Sequence, residues 1–419
     1  MRALWGVLVR HRDYRVLLAA GLVSMAGDWV LSVGLVYYVY AVTGSTVASA
    51  TMLIAAFLPQ MLLGSVAGVF VDRWDRRRTM IGANLLMALG LLPLLAFDGA
   101  GQVWIAYVVV LFVGATEQFV IPAQAALVPH LVADGDLVTA NALNGQNRNI
   151  ARLVGAGLGA VAVGVGGVAL VAVLDAVTYL VAAGLLVLIA SAPQRPAPDP
   201  VGAAPRSLLA EWRSGLALAG REPTLRVLFV IAGISSVGEG VMGTLFAPFV
   251  RDVLHGGGSA YGVILGAQAV GGIAAGFAAA VVAHRYAPRR LLGWGALLVG
   301  VIDLLLFLYP LAYATVWPAV VCMVAVGLPA ALAVVGQTTL FQRTSSDSHR
   351  GRVFGALSAV QGVALLVGTL LAGVLGDVIG IVPVIAVQGV GYAVAGLIVL
   401  AYLPGARRRP VPIGQPAAA

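Results

Sequence analysis

Residues 64–78 read Gly64-Ser65-Val66-Ala67-Gly68-Val69-Phe70-Val71-Asp72-Arg73-Trp74-Asp75-Arg76-Arg77-Arg78. The segment sets two acids and four arginines between long apolar stretches, in a chain that is only 10% charged. A dense charge cluster flanked on both sides by apolar sequence reads as a short wet loop between two membrane-spanning segments.

The rest of the chain agrees with a bilayer setting. Its 419 residues are 60% hydrophobic, above the roughly one-half of a soluble globule, and the mean hydropathy is +0.98. The formal charge of +8 rests on 25 basic residues, every one an arginine. They punctuate hydrophobic runs instead of collecting on a soluble face, which argues against nucleic acid as a partner. The single cysteine, Cys322, lies in an apolar stretch and excludes a disulfide framework. His11, His130, His255, His284 and His349 fall at scattered spacings in predicted loops or tails, so no metal site and no cofactor is expected. Without lysine there is no phosphate-cradling Gly-x-x-x-x-Gly-Lys-Ser/Thr loop, which excludes ATP-driven transport in cis. Arg2, Arg10, Arg12 and Arg15 precede a first apolar run that is too long for a signal peptide and contains Asp28, so it reads as an uncleaved helix.

A hydrocarbon core needs about 20 apolar residues of helix, and an open chain can satisfy its backbone there only as helix. Twelve spans can be cut: 16–43, 46–71, 78–97, 103–128, 147–165, 169–190, 224–250, 260–283, 290–310, 316–341, 353–377 and 382–403. The fifth and sixth are parted only by Val163-Gly164-Val165-Gly166-Gly167. Every arginine but Arg251 then falls on one face, which the positive-inside rule makes cytoplasmic, with both termini inside. The expected organisation is a six-helix bundle at 1–190, a linker at 191–223, a second bundle at 224–403 and a tail at 404–419. Five prolines between Pro193 and Pro205 mark the linker, and Leu208–Ala219 within it suits a helix lying on the membrane surface.

The halves match each other when displaced by 211 to 213 residues: Gly27-Asp28 meets Gly238-Glu239, Gly64 meets Gly276, and Asp72-Arg73 meets His284-Arg285. Gly114 meets Gly327, Gln124 meets Gln337, Asp134 meets Asp347 and Tyr179 meets Tyr392. One offset held across many helices is the mark of a duplicated unit. The fold expected is therefore an all-α membrane protein of twelve transmembrane helices in two parallel six-helix repeats.

With the loop, the span count and the repeat in hand, the pattern Gly68, three residues, Asp72-Arg73, two residues, Arg76-Arg77 resembles the loop between the second and third helices of the major facilitator superfamily. Ala280–Arg290 looks like a degenerate second copy. Gly27-Asp28-Trp29 and the Val71–Arg78 run look most like its siderophore and macrolide exporters. Two departures stand out: the fourth helix offers Glu117 where proton-driven exporters often carry arginine, and Gly155-Ala156-Gly157 in the fifth lacks their Gly-Pro pair. The resemblance implies a substrate site between the halves near mid-membrane. It also implies that Asp72 docks at the start of the eleventh helix, near Gly351–Phe354, while Arg76 or Arg77 pairs with Asp72 or Asp134 as a cytoplasmic gating latch formed by Gly68, Asp72, Arg73, Arg76 and Arg77.

A charge at mid-bilayer costs at least about 2.5 to 3.5 kcal/mol, so deep carboxyls face the protein interior or a wet cavity. At about 1.5 Å per residue Asp28 lies about 18 Å into a core of about 30 Å, with Glu117 and Glu239 similarly deep. These three are the proton-coupling candidates; the alternative is a neutral, hydrogen-bonded structural acid. Asp303 reads as structural, and Asp175 reads equally as a rim residue near the outer surface or a coupling acid. Asn144, Arg148, Arg152, Gly155 and Gly159 share one stripe of the fifth helix, with Arg148 snorkelling to the surface and Arg152 offering a cation to an anionic substrate or to Glu117. Gly155 and Gly159 suit close helix packing. Trp29, Tyr37, Gln118, Asn144, Arg152, Gln337 and Gln361 are the substrate-cavity candidates.

The expected function is a secondary active exporter of small amphiphilic molecules, coupled to protons, acting as a monomer in a bacterial inner membrane. Lipid or lysolipid flipping and solute uptake remain alternatives on the same fold. An intramembrane enzyme would need His, Ser or metal at membrane depth, and no histidine is predicted there.

Overall fold

The computed structural model describes residues 2–71, 74–190, 217, 220–282, 285–344 and 350–403. Most of the 191–223 linker, the 404–419 tail, Asp72, Arg73, and all but residue 217 of the expected surface helix lie outside the described residues.

A short helix, Arg2–Arg10, precedes the membrane helices. These are α1 (Arg12–Thr43), α2 (Thr46–Val71), α3 (Arg76–Gly90) and α4 (Val103–Leu131), then α5 and α6, which share the continuous run Leu137–Val187. The second half holds α7 (Pro223–Pro248), α8 (Gly258–Val282), α9 (Pro288–Leu308), α10 (Val316–Ala325 continued by Gly327–Thr344), α11 (Arg350–Ile379) and α12 (Ile381–Tyr402). Among the described residues there is no strand.

Among the described residues eleven segments are long and apolar enough to cross a membrane, and α5 packs with them as a further long helix. The long run breaks at Gly167, whose φ of 60° and ψ of −155° only glycine adopts freely, so α5 covers 137–166 and α6 covers 168–187. The break falls in the glycine-rich stretch that separates the fifth and sixth spans in the sequence, but α5 begins well before residue 147. α3 stops at Gly90 and passes into a 3-10 turn, Leu92–Ala96, because Pro93 has no N–H for another α turn. α7 ends in a π-helical turn, Phe249–Val253.

Within the first half α1 packs along α5 and α6, and α2 along α4; within the second, α7 packs on α11 and α12, and α9 on α10 and α12. Lipid gives helices little hydrophobic reason to associate, so close backbone approach does that work. Gly155 and Gly159 show it: a Cβ at either would overlap α1 at Ala26, Trp29 and Val30. The duplication is visible in the contacts themselves. Arg77 donates to the carbonyls of Leu186 (2.9 Å) and Val187 (2.5 Å) at the end of α6. Arg289, its partner at an offset of 212, does the same to Val399 (3.3 Å) and Leu400 at the end of α12. Each arginine thereby brings a charged donor to the carbonyl end of a helix, where the dipole favours a cation.

The halves meet through α2 against α11 and α5 against α8. At the end carrying the arginine-rich loops, the motif end, buried apolar residues form separate clusters, one around Tyr14, Met80 and Leu186, another around Leu228, Phe341 and Val399. At the far end Val33 and Ala156 join a cluster otherwise built from the second half. Among the described residues, the hydrogen bonds and buried apolar contacts that join the halves gather at the far end.

Candidate functional site

The site begins with a steric constraint on α1. Gly27 lies so close to α6 that a Cβ there would overlap the Asp175 carboxyl and the Thr178 hydroxyl. The next residue, Asp28, is thereby brought to α6, where Oδ1 accepts a 2.5 Å hydrogen bond from the Tyr179 hydroxyl. In the second half Gly238 sits against Gln388 of α12, and Glu239 Oε1 accepts a 2.5 Å bond from the Tyr392 hydroxyl. Both partners of this contact are duplicated, at offsets of 211 and 213.

The surroundings differ. Tyr179 and Asp175 are both 0% exposed. Asp175 Oδ1 accepts from Thr178 at 3.1 Å, and among the described residues Oδ2 has no partner. Asp175 is therefore an interior residue and not a rim one, because α6 turns it towards α1 and away from the surface. Its counterpart at an offset of 213 is Gln388, which donates 3.1 Å to Asp303 Oδ2 on α9. Asp303 is 4% exposed.

Between the halves lies a hollow of three chambers that share lining residues. One of about 280 Å³ is walled by Asp28, Trp29, Glu117, Arg148, Asn149 and Arg152. The largest, about 620 Å³, takes Asn149 and Arg152 from α5 and Gln268 from α8, with a glycine-, alanine- and valine-rich wall from α8 and α10. The third, about 220 Å³, includes Glu239, Gln268, Asp303, Gln337, Gln361 and Tyr392. Arg152 stands at the junction of the first two, its guanidinium 5.8 Å over the Trp29 ring and its buried Nε, among the described residues, without a partner. The Nε is shut off from the cavity, so the guanidinium held by the ring face bears on the cavity as a fixed cation.

The expected residues thus divide. Asp28, Trp29, Glu117, Arg152, Glu239, Gln337 and Gln361 line the hollow. Gln118 instead bonds its own helix at the Gly114 carbonyl (3.1 Å), and Asn144 accepts from Tyr14 at 3.3 Å. Tyr37 is at the far end, its ring 5.9 Å from Tyr261 and its hydroxyl 3.5 Å from the Gly256 carbonyl. Gly68 lies in α2. Arg76 donates to the Ala126 carbonyl at 3.1 Å and meets His130 Nε2 at 2.6 Å, while Arg77 makes the α6 contacts above. The docking expected of Asp72 and Arg73 falls outside the described residues. Sequence reasoning passed over Asn149, Gln268 and Asp303 as lining residues and Tyr179 and Tyr392 as partners of the acids. The tyrosines had a signal, since they repeat at nearly the offset of the acids they hold.

Against known families, the transmembrane secretion effector pattern of the major facilitator superfamily matches residues 6–407. Macrolide efflux protein A of Streptococcus pyogenes is 24% identical over 361 residues, covering 86% of this chain and 88% of that protein. Multidrug efflux pump Tap of Mycolicibacterium fortuitum is 27% identical over 384 residues, covering 87% and 90%. Among solved structures the nucleoside transporter NupG superposes with a TM-score of 0.72 at 12% identity, covering 93% of this chain and 98% of that one.

Proposed function

Because the chain belongs to the transmembrane secretion effector family of the major facilitator superfamily, and is a multi-pass membrane transporter, we propose that it exports small amphiphilic organic molecules in exchange for protons by alternating access. The observation that carries this reading is the duplicated acid–tyrosine pair, Asp28–Tyr179 and Glu239–Tyr392, opening on a hollow between the halves. Relatives named for macrolide and multidrug efflux support the class of cargo.

The chemistry divides between the halves. Asp28 and Glu117 share the chamber of about 280 Å³ with Arg152, so a proton taken up there changes the charge that the guanidinium faces. Glu239 faces the chamber rich in glutamines, where a cargo's polar groups find donors and acceptors. The driving proton is carried at Asp28 and Glu117, while Glu239 holds the cargo and its own protonation only weakens that hold. Tyr179 and Tyr392 position the carboxyls; the apolar wall of the largest chamber takes the cargo's hydrocarbon part.

In this reading the motif end is cytoplasmic, the two halves at 1–190 and 224–403 move as bodies, and the transporter works as a monomer in a bacterial inner membrane. The experiment is cargo-dependent proton movement in sealed proteoliposomes under an imposed pH gradient. A macrolide or a cationic dye should move protons with a fixed stoichiometry. Cargo movement without proton movement would remove the coupling, and transfer of labelled lysolipid in place of either would favour the flippase alternative.

A further inference from the structure

The far end of the molecule is held by hydrogen bonds between the halves, and they are unevenly placed. On α11, Asp377 Oδ1 accepts from the Thr46 backbone N–H at 3.2 Å and lies 2.8 Å from the Thr46 hydroxyl, which also reaches the Gly373 carbonyl at 2.5 Å. Thr46 opens α2 and is 1% exposed, whereas Asp377 is exposed. Nearby, the Tyr40 hydroxyl donates to Asp252, and Arg251 Nη1 donates to the Tyr40 carbonyl at 3.1 Å with its guanidinium 5.6 Å over the Tyr40 ring. These contacts join α1 and α2 to α7 and α11.

The repeat places a second such junction at the other side of the interface. The equivalents of Asp377 and Thr46 are Gly164 on α5 and Gly258 at the start of α8, at offsets of 213 and 212. Neither of these two positions carries a carboxylate. Gly258 packs beside Tyr37 and Val163, which a Cβ added there would meet at 3.3 and 3.4 Å.

Asp377 is also unnecessary for forming α2. Ser45 already serves the local capping role, its Oγ accepting from the Ala48 N–H at 3.3 Å. What Asp377 adds is a charged acceptor, from the other half, for one of the amides that a helix start leaves free. When the halves part, both groups reach water and neither is left as a buried orphan, so the bond is cheap to break and re-form. Gly373 and Gly376 keep the face of α11 low enough for Thr46 to seat: a Cβ at the first would press on Ala50, and one at the second on Leu245.

We propose that Asp377 and Thr46 form a one-sided clasp of the far gate, which holds the hollow shut at that end and whose release is part of opening there. The proposal rests on the alternating-access reading above. It is tested on the full chain in nanodiscs, with Cys322 replaced by Ser and spin-label pairs at Ala100 and Tyr313 for the far end and at Arg78 and Arg290 for the motif end. Asp377→Ala and Thr46→Val should each shift the ratio of far-end-open to far-end-closed molecules about tenfold towards open, with Asp377→Asn in between. Ser45→Ala, which weakens the same helix start without touching the other half, should lower thermal stability and leave the ratio alone. An unchanged ratio in Asp377→Ala, against a wild type that moves between two populations, overturns the clasp and leaves alternating access standing. A shift in Ser45→Ala equal to that in Asp377→Ala overturns it too, by reducing it to helix capping. A wild type that keeps one distance at both ends whatever cargo or pH is supplied overturns both readings.

Discussion

The two acid–tyrosine pairs are the same contact built twice, with a 2.5 Å hydroxyl–carboxyl bond in each, yet they sit in different company. Asp28 has Glu117 in its chamber and the sealed Asp175 one helical turn from its tyrosine. Glu239 has glutamines and the Asp303–Gln388 bond, and is open to the hollow. At the position where the first half has Asp175, the second has an amide. Duplication kept the helix 1 to helix 6 geometry, because a glycine before each acid fixes how closely the helices approach, and side-chain chemistry diverged around it. In the proposed exchange the first half carries protons and the second holds cargo.

The sharpest break in that comparison is Asp28→Asn. Uphill efflux should fall about a hundredfold while downhill exchange and cargo affinity stay near wild type, read by counterflow in proteoliposomes with and without a pH gradient. Glu117→Gln belongs with it and should show the same split. If Glu239→Gln instead gave that split and Asp28→Asn only weakened binding, the assignment of the halves would be reversed.

Next in size, Glu239→Gln should raise the cargo KM about tenfold and flatten its dependence on pH, because the competing proton site is gone. A KM that keeps its wild-type pH profile would remove the competition at this residue.

Smaller effects test the tyrosines as positioning groups. Tyr179→Phe removes a fully buried hydroxyl and takes its hydrogen bond from Asp28, and should lower stability by about 1 to 3 kcal/mol, seen as a lower melting temperature. Tyr392→Phe faces a hollow that water enters, and should cost about 1 kcal/mol or less. Equal losses at the two sites would mean that the chambers do not differ in water access.

The smallest change is expected at Asp303→Asn. The Gln388 amide still finds a carbonyl oxygen to donate to, so melting temperature and uphill efflux should remain close to wild type. A loss as large as that of Asp28→Asn would give the second half its own proton-carrying acid.

Much of this was legible without coordinates, for a physical reason. A bilayer admits few solutions, so span lengths, the charged 64–78 loop and the repeat offset suffice for twelve helices in two related sets. Depth along a span likewise singled out Asp28, Glu117 and Glu239, since a deep carboxyl must turn inward. What a linear reading handles poorly is rotation of one helix against another. Asp175, near a span end in sequence, is sealed against Gly27, and Gln118, on the same helix as Glu117, turns to its own backbone.

The sequence by itself determined the membrane setting, the duplicated helical plan and the short list of deep acids, because each follows from hydropathy and spacing along one chain. Only the tertiary structure decided which acids meet which tyrosines, that Arg77 and Arg289 tie down helix ends, and that Asp377 reaches Thr46 across 331 positions. Those are contacts between helices, set by how closely small residues let the backbones approach, and no local pattern encodes the partner.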